Sequence, residues 1–131
     1  MARALCAYLS REKVPDRKPL QQAIDALSLP LKLDGDYAPF ETSGYLPCTL
    51  DGEDAGFDLR FGEVAADVAT ALHLGERNFA FNLKWGGDRR EEAAALVFCA
   101  ALAKDFDAVV QAGEALSVKQ LLSKAKSLME E

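Results

Sequence analysis

The chain has 131 residues, 50% of them hydrophobic, which suits a single compact domain with a sizeable core, since domains commonly run about 100 to 150 residues. Its formal charge of −6 and pI near 4.8 disfavour direct DNA or RNA binding, which needs clustered Lys and Arg. No run approaches the roughly 18 apolar residues that span a bilayer, and the stretch Ala4 to Leu9 is shorter than a secretory core of about 7 to 15, so a cytoplasmic protein with no membrane association is expected.

Residues 3 to 9 form a short apolar run that reads as a buried strand opening a sheet. A helix follows Val14-Pro15-Asp16, with Pro19 in its first turn and Leu20, Ala23, Ile24 and Leu27 on one face. Leu29-Pro30 stops it. Two strands, about 45 to 50 and 56 to 61, flank Asp51-Gly52-Glu53-Asp54, because Asp-Gly between apolar runs signals a hairpin. The spacing of Val64, Val68 and Ala71 or Leu72 predicts a short core-facing helix over 64 to 73, with Gly75 as its stop. Phe79, Phe81, Leu83 and Trp85 alternate with Ala80, Asn82 and Lys84, a period of two that marks a strand with one buried face.

Gly86-Gly87 then turns the chain, and Asp88 with Glu91 has the spacing of a capping box at the start of a helix. From Glu92 onward that helix is apolar almost all round, the pattern of a central helix packed on more than one side. Ala108 to Val110 reads as a strand. Ser117 and Gln120 form a second capping box with Leu116 and Leu121 at staple positions, opening a C-terminal helix whose stripe of Val118, Leu121, Leu122, Ala125 and Leu128 is explained by packing on its own sheet. The expected fold is α+β: a single-domain sandwich, residues 1–131, of a mixed, largely antiparallel sheet with about four helices packed on it.

Charge is distributed unevenly along this order. Between Lys32 and Arg60 lie Asp34, Asp36, Glu41, Asp51, Glu53, Asp54 and Asp58 with no basic residue, so this stretch carries −7 and the rest of the chain +1. Aromatics are interleaved with the acids, and Gly and Pro interrupt the run, which indicates a ribbon or loop surface, either an ordinary hairpin with solvated acids or one suited to a basic protein partner. The partner-binding candidates are Asp34, Asp36, Tyr37, Phe40, Glu41, Asp51, Glu53 and Asp54, the aromatics as anchors and the acids as steering charges. Tyr45 and Phe57 belong either to this surface or to the core.

Catalytic chemistry is hard to assemble from the remaining residues. His73 is the only histidine, so a nucleophilic site would have to pair it with a cysteine, Cys48 being the candidate. Cys6 and Cys99 sit in apolar runs and read as core residues. Three widely spaced cysteines without a Cys-x-x-Cys pair argue against disulfides or zinc. The acids do not follow the spacing of a calcium loop, so no metal and no cofactor is expected. Gly86-Gly87-Asp88-Arg89-Arg90 reads as a tight strand-to-helix turn rather than a phosphate cradle, because Asp88 at the cap competes with an anion. Trp85 is either a core or an interface aromatic.

Gly44-Tyr45-Leu46-Pro47-Cys48, then Asp51-Gly52, Gly56-Phe57, the Gly-Gly-Asp turn and the Ala-rich helix resemble the small immunity proteins of bacterial contact-dependent inhibition and related polymorphic-toxin systems. The likeness spans residues 20 to 112. It implies a small cytoplasmic protein that binds a cognate toxin domain, often a nuclease, and blocks it without chemistry of its own, so no catalytic residue carries over. Two other classes compete with this one: a secretion chaperone or adaptor with a hydrophobic groove or dimer surface, and a small Cys-dependent enzyme.

Overall fold

The computed structural model describes residues 4–33, 37, 44–112 and 115–129. Strand alternation sets its layers. In β1 (Ala4–Leu9) Leu5, Ala7 and Leu9 are buried while Ala4, Cys6 and Tyr8 are half-buried on the opposite face. In β7 (Phe79–Lys84) Phe79, Phe81 and Leu83 point the same way as that buried set. A six-stranded sheet forms in the order β3-β6-β7-β1-β8-β9, using β3 (Gly44–Leu46), β6 (Phe57–Glu63), β8 (Val109–Gln111) and β9 (Ala115–Leu116). Every neighbouring pair in it is antiparallel. A second, three-stranded antiparallel sheet has the order β2-β4-β5, from β2 (Leu31–Leu33), β4 (Cys48–Leu50) and β5 (Glu53–Asp54). The fold is α+β, as expected.

Helix α3 (Arg89–Asp105) is the spine of the core. Ten consecutive residues, Ala93 to Leu102, are buried, because α3 packs against α1 (Arg17–Ala26) and α4 (Val118–Met129) as well as against strands of both sheets. Its alanines let these elements approach closely, and its one large ring, Phe98, meets Phe57 at 5.4 Å and Phe81 at 5.8 Å between centroids, both edge-on. Such pairs each contribute about 0.5–1.5 kcal/mol beyond the area they bury. Helix α1 buries Leu20, Ala23 and Ile24 as its periodicity predicts. Its Gln21 also closes the outer edge of β2, donating to the Leu31 carbonyl at 2.9 Å and accepting from the Leu33 amide at 2.8 Å. The side-chain amide thereby substitutes for a further strand and blunts an exposed edge.

The capping signals hold with one variation. At α4 the Ser117 and Gln120 side chains satisfy each other's backbone amides at 3.1 and 2.8 Å, a reciprocal capping box. At α3 the Asp88 carboxylate accepts from the Arg90 amide at 2.7 Å, while Glu91 reaches past Asp88 to the Gly86 amide at 3.1 Å. The glycine turn brings that earlier amide within reach.

Helix α2 (Ala66–Ala71) departs from expectation. It is shorter than 64 to 73 and buries none of its residues, and Val68 is exposed. Its stop is His73, not Gly75: His73 takes φ 56°, its amide donates to the Thr70 carbonyl and the Leu74 amide to that of Ala69. This is the Schellman pattern with a non-glycine residue at its left-handed position. Leu74, outside the predicted stripe, is the residue buried instead.

Candidate functional site

The acidic ribbon is one hairpin that serves two sheets. Tyr45 pairs with Asp58 and Leu46 with Phe57 in the large sheet, and Thr49 pairs with Asp54 and Leu50 with Glu53 in the small one. The register is the same in both, and the Ala55 amide donates to the Cys48 carbonyl at 2.9 Å between them. The predicted strand over 45 to 50 is therefore two strands. Pro47 has no amide to donate at the junction, and the ribbon bends there from one sheet into the other.

Asp51 and Gly52 form the tip with φ of 55° and 82°, both positive as a type I′ turn requires. The tip is held on two sides: the Asp51 amide donates to the Pro30 carbonyl at 2.9 Å, and the Glu53 carboxylate pairs with the Arg90 guanidinium at the start of α3. Asp51, Glu53 and Asp54 are all exposed. Asp51 and Asp54 take part in no ion pair among the described residues, whereas Asp58 is held by Arg60 at 3.0 Å. Beneath the tip lies a cavity of about 330 Å³ with Leu50, Ala93, Leu128 and Met129 as its apolar lining. The tip's backbone is thus tied to Pro30 and its Glu53 side chain to Arg90, with the Asp51 and Asp54 carboxylates exposed.

Tyr37 does not belong to that surface. It is 3% exposed, its hydroxyl donates to the Pro15 carbonyl at 3.0 Å, and its ring stands edge-on to Phe98 at 6.2 Å. Burial, with the charge of Asp16 nearby, pushes its phenol well above the usual tyrosine range. It bolts the ribbon's approach to the core and offers no anchor to a partner. Asp34, Asp36, Phe40 and Glu41 lie outside the described residues. Among the described residues the exposed aromatic of the ribbon is Tyr45, at 60%, while Phe57 is core. Tyr45 was legible in the alternation of Leu46, Cys48 and Leu50, which directs every odd residue of that stretch outward.

The chemical alternatives are placed as follows. Cys48 is 4% exposed and its thiol points to the Leu46 carbonyl at 3.7 Å, while His73 is exposed at the end of α2. Cys99 lies fully inside α3, where burial raises its thiol pKa strongly, and all three cysteines are thiols rather than halves of a disulfide. Cys6 is half-buried on the outer sheet face, its thiol donating to the Asn82 side chain at 2.9 Å. The Arg90 amide at the start of α3 is engaged by the Asp88 carboxylate. No group of three or more His, Cys, Asp or Glu side chains among the described residues is placed to hold a metal ion, and none of the described helices is long and apolar enough to cross a membrane. Comparison with known proteins found no match to any family model, to any curated protein or to any solved structure.

Proposed function

We propose that this chain is a non-catalytic, cytoplasmic binding protein that neutralises a basic protein partner, a toxin domain such as a nuclease, by docking the acidic hairpin tip against it. The observation that carries this reading is the exposure of Asp51, Glu53 and Asp54 on a type I′ turn tied to both Pro30 and Arg90. A nuclease must present Lys and Arg to phosphate, and a fixed acidic surface covers the same groups while speeding encounter through complementary fields. Preorganisation matters because an ordered loop loses little entropy on binding. An adaptor or chaperone would present an extended apolar face. Among the described residues the exposed large hydrophobics are Tyr45 and Val68, which favours electrostatic recognition.

Capture from lysate of the source organism tests it. The immobilised wild type should retain a basic protein that elutes as salt rises, and a variant carrying Asp51→Asn, Glu53→Gln and Asp54→Asn should retain much less. Asn suits position 51 of the turn, so the fold persists. Equal retention by both proteins would refute the role given to the tip. Adding the chain to the purified partner should then suppress its activity.

A further inference from the structure

Tyr45 is exposed but not free. Its phenol end lies over Gly56, in the space a Cβ at that position would occupy, while the residue as a whole stays 60% exposed. Beside it opens a hollow of about 310 Å³ whose lining includes Tyr45, Asp58, Lys84, Trp85 and Glu91, with the buried Phe57 at its floor. Trp85 is half-buried and packed on the core. Glu91 uses Oε1 on the Gly86 amide at 3.1 Å, which fixes the carboxylate at the hollow's edge and leaves Oε2 available. Asp58 is already balanced by Arg60 at 3.0 Å and stands in register opposite Lys84. The lining thus holds two carboxylates, Asp58 and Glu91, against one ammonium, Lys84, and selection rests on Glu91 together with the aromatic surface of Tyr45 and Trp85.

We infer that this hollow is the anchor site for one arginine side chain of the partner. A guanidinium is flat, weakly hydrated and able both to stack on an aromatic face and to fork onto a carboxylate. The volume is at the small end of ligand sites, which run about 300–1,000 Å³, and takes one long side chain rather than a cofactor. Tyr45 and the tip sit on one ribbon, six residues apart and, with the bend at Pro47 between them, less than about 20 Å, within the breadth of a single protein interface. This assignment rests on the reading of the chain as a binder of a basic protein: the tip steers and the hollow holds. Seated aromatics of this kind make hot spots because little freedom is lost when they are covered.

Trp85 is the only tryptophan, so its emission reports on the hollow directly. Titration with N-acetylarginine amide should change that emission and move the Gly56 and Glu91 amide resonances, with millimolar affinity. The neutral isostere N-acetylcitrulline amide should bind at least about threefold more weakly, and Tyr45→Leu should weaken the arginine probe about fivefold, the scale of one exposed cation–π contact. Glu91→Gln, which keeps the bond to Gly86, should also weaken it. A silent Trp85, an equal response to citrulline, or an unchanged Tyr45→Leu overturns the assignment. The tip variant should respond to arginine amide as wild type does. If it does, yet wild type and tip variant capture partner equally, the steering reading falls and the hollow stands. If capture depends on the tip but Trp85 is silent, the hollow falls alone.

Discussion

Gly56→Ala isolates a single close approach. A methyl carbon at position 56 would lie 2.6 Å from the Leu46 carbonyl oxygen, about 0.7 Å inside an ordinary C···O contact of about 3.3 Å. It would also enter the space of the Tyr45 phenol. The backbone cannot yield cheaply, because Leu46 is registered against Phe57 on one side and the Ala55 amide is bonded to Cys48 on the other. Overpacking of this kind costs about 1–3 kcal/mol. Against it stands the gain of about 0.4–1 kcal/mol from stiffening the unfolded chain. Gly62→Ala, in the strand β6 that Gly56 leads into, supplies the control, since a Cβ there meets nothing closer than the Asn82 side-chain nitrogen at 3.8 Å. The entropic gain is common to both substitutions, so their difference, about 1–3 kcal/mol, reports the clash. Urea unfolding followed by circular dichroism should place the Gly56→Ala midpoint about 1 M below that of Gly62→Ala, taking a slope of about 1–3 kcal/mol per molar. Coincident midpoints would refute the close approach and with it the seat of Tyr45.

Three further outcomes follow from particular contacts. Tyr37→Phe should destabilise the fold by about 1 kcal/mol, the net value of its hydrogen bond to Pro15, read as a lower urea midpoint. Asp107 is held below the usual carboxylate range by Lys13 at 3.2 Å and by Arg77 at 3.0 Å. Its folded pKa is lower than its unfolded value of about 3.9, so its stabilisation is present above that value and disappears as pH falls through the folded one. Wild type should therefore lose stability below about pH 4 more steeply than Asp107→Asn, measured as urea midpoint against pH. Under native conditions a thiol reagent should modify Cys6 first and reach Cys48 and Cys99 only as the chain unfolds, and rapid native labelling of Cys99 would contradict its burial in α3.

Much of the fold was legible because its local signals agree with its packing. The alternation of Phe79, Phe81 and Leu83, the i, i+3, i+4 stripe of α1 and the Ser117–Gln120 box each correspond to one observed element. The α2 segment misled because its apolar positions obey helical spacing without a core surface to meet, and tertiary context decides burial, not periodicity. The break at Pro47 carried a local signal, the missing amide, but nothing in sequence says that the ribbon continues into a second sheet. Sequence alone misplaces Tyr37, and leaves Tyr45 open between surface and core, for a similar reason. An aromatic among carboxylates reads as surface until Pro15 and Phe98, distant in sequence, are seen to enclose it. The tip residues were readable from Asp51-Gly52, whereas the pairing of Glu53 with Arg90 joins positions that no local pattern connects.

The most direct test of the hairpin as a steering surface is the association rate of the captured partner, measured by stopped flow with wild type and with the Asp51→Asn, Glu53→Gln, Asp54→Asn variant over a range of salt. We expect the variant to associate about tenfold more slowly at low salt, the lower end of electrostatic steering, with a shallower salt dependence and a largely unchanged dissociation rate. Equal association rates and equal salt slopes for the two proteins would contradict the account.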